Sequence, residues 1–143
     1  MTQIARSALV RRPAAHMFDL VNEVEAYPQR FGWCEAARIL ERSDTEMLAR
    51  LDLKLGALRT AFTTRNRLLR PQRIELQLVE GPFTRLAGAW AFTALAEDAS
   101  KVELSLSFET AGRLVGSALA LGFQALADRM VDDFVREARR HGG

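Results

Sequence analysis

Between Met47 and Phe108 the chain alternates apolar and polar residues in five separate runs, and one proline-free stretch of helical period follows them. Met47, Ala49, Leu51, Leu53 and Leu55 interleave with Leu48, Arg50, Asp52 and Lys54. The period of two returns in Phe62, Thr64, Asn66 and Leu68, in Ile74, Leu76 and Leu78, in Leu86, Gly88, Trp90 and Phe92, and in Val102, Leu104, Leu106 and Phe108. Successive side chains of a strand point to opposite faces, so each run describes an antiparallel strand that is dry on one side and wet on the other. Turn residues separate the runs at Gly56, at Arg70-Pro71, at Gly81-Pro82 and from Glu97 to Ser100.

Two more segments bring the count to about seven strands. Gln3 to Arg12 carries Ile4, Ala8 and Val10 on one parity, and Ala37 to Arg42 has strand character. Pro13 ends the first, because proline has no donor for the ladder. Ala14, Met17, Phe18 and Val21 then follow helical spacing, and a second short turn from Asn22 to Tyr27 is expected to stop at Pro28. From Arg113 to Arg140 there is no proline, and Leu119, Phe123, Leu126, Met130 and Phe134 recur every three or four residues. A helix of that length reaches roughly 42 Å, enough to cross a small sheet. The expectation is one α+β domain over residues 1–143, a curved antiparallel sheet covered by a long C-terminal helix, with two short helices after the first strand.

Composition excludes several alternatives. The 143 residues are 48% apolar and 27% charged, which rules out disorder, and the single Cys34 rules out a disulfide scaffold. The longest apolar stretch, Leu114 to Ala127, is 14 residues, against about 20 needed to span a bilayer. No signal or transit peptide precedes the first strand-like residues, so a cytoplasmic, reducing compartment is expected.

A single helix about 10 Å across does not fill the concave face of so wide a sheet. The N-terminal half of the long helix is also rich in small residues, Gly116, Ser117, Ala118, Ala120, Gly122 and Ala125. These either leave space beneath the helix or let it pack closely. In the first case an apolar cavity for a greasy small molecule follows. Leu51, Leu53, Phe62, Leu76, Trp90, Phe92, Leu104, Leu106 and Phe108 would form its sheet wall, Leu119, Phe123 and Met130 its helix side, and Phe31 and Trp33 its mouth.

Catalytic chemistry finds little support. His16 and His141 are the only histidines, Cys34 has no histidine near it in sequence, and metal-ligand spacings and nucleophile motifs are missing. Asp132 and Asp133 are adjacent on a helix and so do not face one another. No cofactor, metal or DNA partner is expected, and the chain reads as a non-enzymatic binding module.

The charge pattern offers a second site. Eighteen of the 20 cations are arginine, and Lys54 to Arg73 holds six cations and no acid, while Asp128, Asp132, Asp133 and Glu137 gather near the C-terminus. Arg59, Arg65 and Arg67 lie on the outward parity, with Arg73 nearby. This face suits RNA phosphate or anionic lipid at a membrane surface. It is equally a solvated face with Asp52 and Glu75 as partners.

Several segments together resemble a known family. Tyr27-Pro28 through Trp33-Cys34, Phe62-Thr63-Thr64-Arg65, Glu80-Gly81-Pro82-Phe83, Leu86 to Phe92 in the pattern LxGxWxF, Lys101-Val102-Glu103-Leu104 and Met130-Val131-Asp132-Asp133-Phe134 are similar to the START-like coenzyme Q-binding family. It belongs to the polyketide cyclase/dehydrase-like superfamily and includes bacterial ribosome association toxins. The resemblance implies a helix-grip (START/Bet v 1-like) fold. It implies one of two roles. The first is binding of ubiquinone or another polyprenyl lipid in the cavity in support of cellular respiration. The alternative is a toxin that binds the large ribosomal subunit, blocks subunit association and so inhibits translation. A cyclase-like enzyme shares the fold, but the inward strand positions carry hardly any ionisable group. Two features depart from the pattern: the loop reads Gln29-Arg30-Phe31-Gly32, and the outward positions beside Gly88 are three expectedly exposed alanines, Ala87, Ala89 and Ala91.

Overall fold

The alternating runs form seven strands: β1 (Thr2–Val10), β2 (Cys34–Arg42), β3 (Glu46–Leu55), β4 (Leu58–Leu69), β5 (Arg73–Glu80), β6 (Phe83–Ala96) and β7 (Ala99–Thr110). The structure, a computed structural model, describes residues 2–111 and 114–141, with side chains of the last helix from 118 to 140. The strands make one antiparallel sheet in the order β1-β7-β6-β5-β4-β3-β2. Register puts the predicted inward parities side by side. Ile4, Leu106, Gly88, Leu76, Asn66 and Met47 form one row across six strands, and Trp90 stands between Leu104 and Ile74 in the next.

The helices differ from expectation in detail. α1 (Ala14–Asn22) buries Met17, Phe18, Leu20 and Val21, and Phe18 meets Phe92 edge-on with ring centres 5.8 Å apart. Arg70, after β4, donates two 2.8 Å bonds to Asp19 of α1 and holds that carboxyl below its usual range. A 3-10 turn, Val24–Ala26, leads into α2 (Tyr27–Arg30). Pro28 therefore opens a helical turn instead of closing one, since its missing N–H costs nothing in a first turn. β1 stops at Val10, short of Arg12, and β2 starts three residues before the expected Ala37.

α3 (Leu114–His141) covers the concave face with Phe123, Leu126, Ala127, Val131, Phe134, Val135 and Ala138. Its phase corrects the expectation about small residues. Ala118 and Ala125 face solvent, and Ala120 is only half-buried. At Gly122 a Cβ would lie 3.1 Å from that of Leu55, so this glycine brings helix and sheet together. The side chains at Gly116, Ser117 and His141 lie outside the described residues, as does Arg113. Among the described residues, Ala118 and Ala125 open no hollow beneath α3, and Gly122 narrows one.

Candidate functional site

A cavity of about 70 Å³ lies between the sheet and α3. Ten of the fourteen residues expected around a ligand line it: Trp33, Leu51, Leu53, Phe62, Leu76, Trp90, Leu104, Leu106, Phe123 and Met130. The other four do not. Phe92 stacks beyond Trp90 toward Phe18, and Phe108 is wedged between Phe83 and Phe123. Leu119 is buried apart from the continuous core, and Phe31 stacks on Trp33 at 4.9 Å and packs on Phe134.

These aromatics explain why the hollow is small. One cluster, Phe62, Phe83, Phe108 and Phe123, closes the groove around Phe123. A second, Tyr27, Phe31, Trp33 and Trp90, closes it around Phe134, about 16 Å further along the helix. Edge-to-face rings fill the width that a helix leaves open, and only the space between the clusters stays empty.

The cavity is not wholly apolar. Thr64 Oγ1 donates to Asn66 Oδ1 at 2.7 Å, and Asn22 Oδ1 is buried with no partner among the described residues. Thr64 and Asn66 were visible as polar interruptions of an inward parity, while Asn22, the last residue of α1, carried no sequence signal. Among the described residues Tyr27 is the single ionisable side chain on the cavity wall. Its hydroxyl donates to the Val21 carbonyl, and burial drives its pKa far above the ordinary phenol range. Among the described residues of the wall no group is poised for acid–base work.

Burial likewise pushes the Cys34 thiol up to about 11, a rise opposed in part by a backbone hydrogen bond at Ala36. At pH 8 it carries about a hundredth of the thiolate of an ordinary cysteine. Iodoacetamide is therefore expected to label the native protein about 100-fold more slowly than the urea-unfolded chain, as read by mass spectrometry. Equal rates would place Cys34 at the surface. His16 Nε2 is buried with no hydrogen-bond partner among the described residues, and Asp19, the carboxylate within electrostatic reach of it, is engaged by Arg70. Among the described residues no cluster of His, Cys, Asp and Glu could hold a metal, and no helix is long and apolar enough to cross a membrane.

The outward arginines are placed as expected but are not bare. Arg59 pairs with Glu35, Arg65 with Glu41 at 3.6 Å, and Arg67 and Arg73 share Glu75 at 3.7 and 3.1 Å. Asp52, expected as a partner, is engaged by Arg50 instead. The carboxylates are exposed at the surface beside the guanidiniums, so the face is a lattice of alternating charge. The three alanines are not an exposed patch either. Ala89, between Glu75 and Ser105 in the ladder, is only 5% exposed, and only Ala87 is open to solvent.

Residues 10–135 match the family model described as polyketide cyclase / dehydrase and lipid transport. The chain belongs to that family. Within it, the chain is 46% identical to the ribosome association toxin RatA of Pseudomonas aeruginosa over 97% of its own length and 96% of the relative's. It is 41% identical to the RatA of Escherichia coli, covering 97% and 88% of the two chains. The family fold extends well beyond such relatives. The Zhui aromatase/cyclase from Streptomyces sp. R1128 superposes with a TM-score of 0.87 over 99% of this chain and 96% of its own, at 18% identity.

Proposed function

We propose that this protein is a ribosome association toxin, which binds the large ribosomal subunit and keeps it from joining the small one. The observation that carries the reading is the 46% identity to a protein of that name along nearly the entire length of both chains. The surface supports it, because among the described residues the charged side chains lie outside the core, Glu137 excepted. Overexpression followed by sucrose-gradient profiling tests it. The expected result is a falling ratio of joined to free subunits, with the protein in the large-subunit fraction. An unchanged ratio with the protein at the top of the gradient would remove the reading.

The cavity favours a second, compatible role in holding a small hydrophobic ligand, since Asn22 Oδ1 waits there for a donor. A drug-sized ligand occupies roughly 300–1,000 Å³, and the cavity measures about 70 Å³. A polyprenyl quinone would therefore enter only if α3 parted from the sheet. Organic extraction of the purified protein, analysed by mass spectrometry, is expected to yield no stoichiometric polyprenyl quinone. An equimolar quinone in the extract would restore the carrier reading.

A further inference from the structure

We infer that the cleft between the residues 30–33 loop and the last turns of α3 is a phosphate-binding surface, and that it takes the backbone of ribosomal RNA. The inference rests on the ribosomal reading above and names the surface that would serve it. Arg129, Asp133, Arg136, Glu137 and Arg140 recur at helical spacing along one face of α3, and Arg30 of α2 reaches the same cleft, which encloses about 260 Å³.

Its charges are sorted by depth. The Asp133 and Glu137 side chains form the floor, at 14% and 7% exposed, whereas those of Arg129, Arg136 and Arg140 stand 61–73% exposed at the rim. Asp133 is fixed by Trp33 Nε1, which donates to it at 3.1 Å, and it holds Arg129 and Arg136 at 3.6 and 3.3 Å. Glu137 holds Arg30 and Arg140 at 3.7 and 3.9 Å. Arg30 also meets Glu23, an acid at the rim, at 3.3 Å. Close charge-assisted bonds run about 2.7–2.9 Å, so the guanidiniums are oriented by the floor without being saturated. Each has five N–H donors and spends one or two on a carboxylate. Arg129, Arg136 and Arg140 thus stand above the carboxylates, with Arg30 nearer the floor at 17% exposed, whereas the sheet-face carboxylates are 38–66% exposed and compete for an anion.

Arginines in a last helical turn also offset the helix dipole. That role does not call for Arg30, which comes from a different element. A membrane surface fits less well than RNA. Phe31 and Trp33 beside the cleft are buried, and the exposed large apolar residues Leu9, Leu40, Leu69, Val79 and Leu95 belong to the sheet strands and Leu121 to the other end of α3. Among the described residues, the cleft thus has donors for phosphate and no exposed large apolar side chain in its lining.

The test measures binding of the full chain to purified large subunits by co-sedimentation at several salt concentrations. Arg136→Glu with Arg140→Glu is expected to weaken binding at least tenfold and to make the log–log salt slope shallower by about two. Arg136→Gln with Arg140→Gln, which places no new acid near Asp133, should weaken it in the same direction, and thermal melts of all variants check folding. Arg65→Glu with Arg67→Glu on the sheet face should stay within about threefold of wild type. Binding retained by both cleft variants would overturn the inference while leaving the ribosomal reading intact. Wild-type protein that fails to sediment with subunits would sink both. Wild-type binding to phosphatidylglycerol vesicles, lost in the cleft variants while subunit binding persists, would assign the cleft to lipid and overturn the RNA assignment.

Discussion

Phe134→Ala is expected to destabilise the fold by about 3–5 kcal/mol, the range for deleting a well-packed buried aromatic ring. Phe134 is wholly buried, and three elements meet on its ring: Tyr27 at 5.4 Å, Phe31 at 4.7 Å and Trp90 at 5.2 Å between centres. Removing it leaves the α2 turn, the loop after it and β6 without their common partner. Little can collapse into the void, because Tyr27 is held by its bond to Val21 and Trp33 by its bond to Asp133. Domains of this size are stable by only about 5–15 kcal/mol, so the melting temperature should drop by about 10–15 °C. Urea unfolding measures this directly. A change below about 1 kcal/mol at unchanged slope would show that the second aromatic cluster does not hold helix to sheet.

Gly88→Ala should be almost as damaging, by the opposite mechanism. Gly88 sits on the concave parity of β6 opposite Leu106. A Cβ there would lie 2.2 Å from the Ser105 carbonyl oxygen and 3.1 Å from Leu106 Cα, both backbone atoms that cannot turn aside. β6 and β7 would have to separate by about 1 Å in the middle of a ladder running from Phe83 and Thr110 to Ala96 and Ala99. Overpacking a core commonly costs about 1–3 kcal/mol, and forced backbone movement belongs at or above the top of that range. A urea midpoint equal to wild type would mean that this ladder has slack at its centre.

Much of the architecture was readable because a half-buried sheet writes its two faces into alternate residues. The rows through Leu76, Gly88 and Leu106 follow the predicted parity strand by strand. Volume was not readable in the same way. Parity says that Phe62, Phe108 and Phe123 point inward, but not that their rings meet and close the groove. Helix phase, likewise, turned Ala118 and Ala125 of α3 to solvent, while Gly122 draws helix and sheet together instead of leaving a hollow. The sequence also hid the sign of the C-terminal surface. Asp133 and Glu137 counted as part of an acidic cluster, although folding sinks them beneath Arg129, Arg136 and Arg140. Asn22 and Arg30 join their sites through the turns at Val24–Ala26 and Tyr27–Arg30; the sequence announced a turn there, but not where it carries these two side chains.

On the proposed function, this member of the family works through its outside, on ribosomal subunits. The most direct measurement is light scattering of purified large and small subunits as they join in magnesium, with and without the purified protein. The expected result is a scattering amplitude that falls as protein is added and approaches zero near one protein per large subunit. Full-amplitude joining at a severalfold excess of folded protein would contradict it.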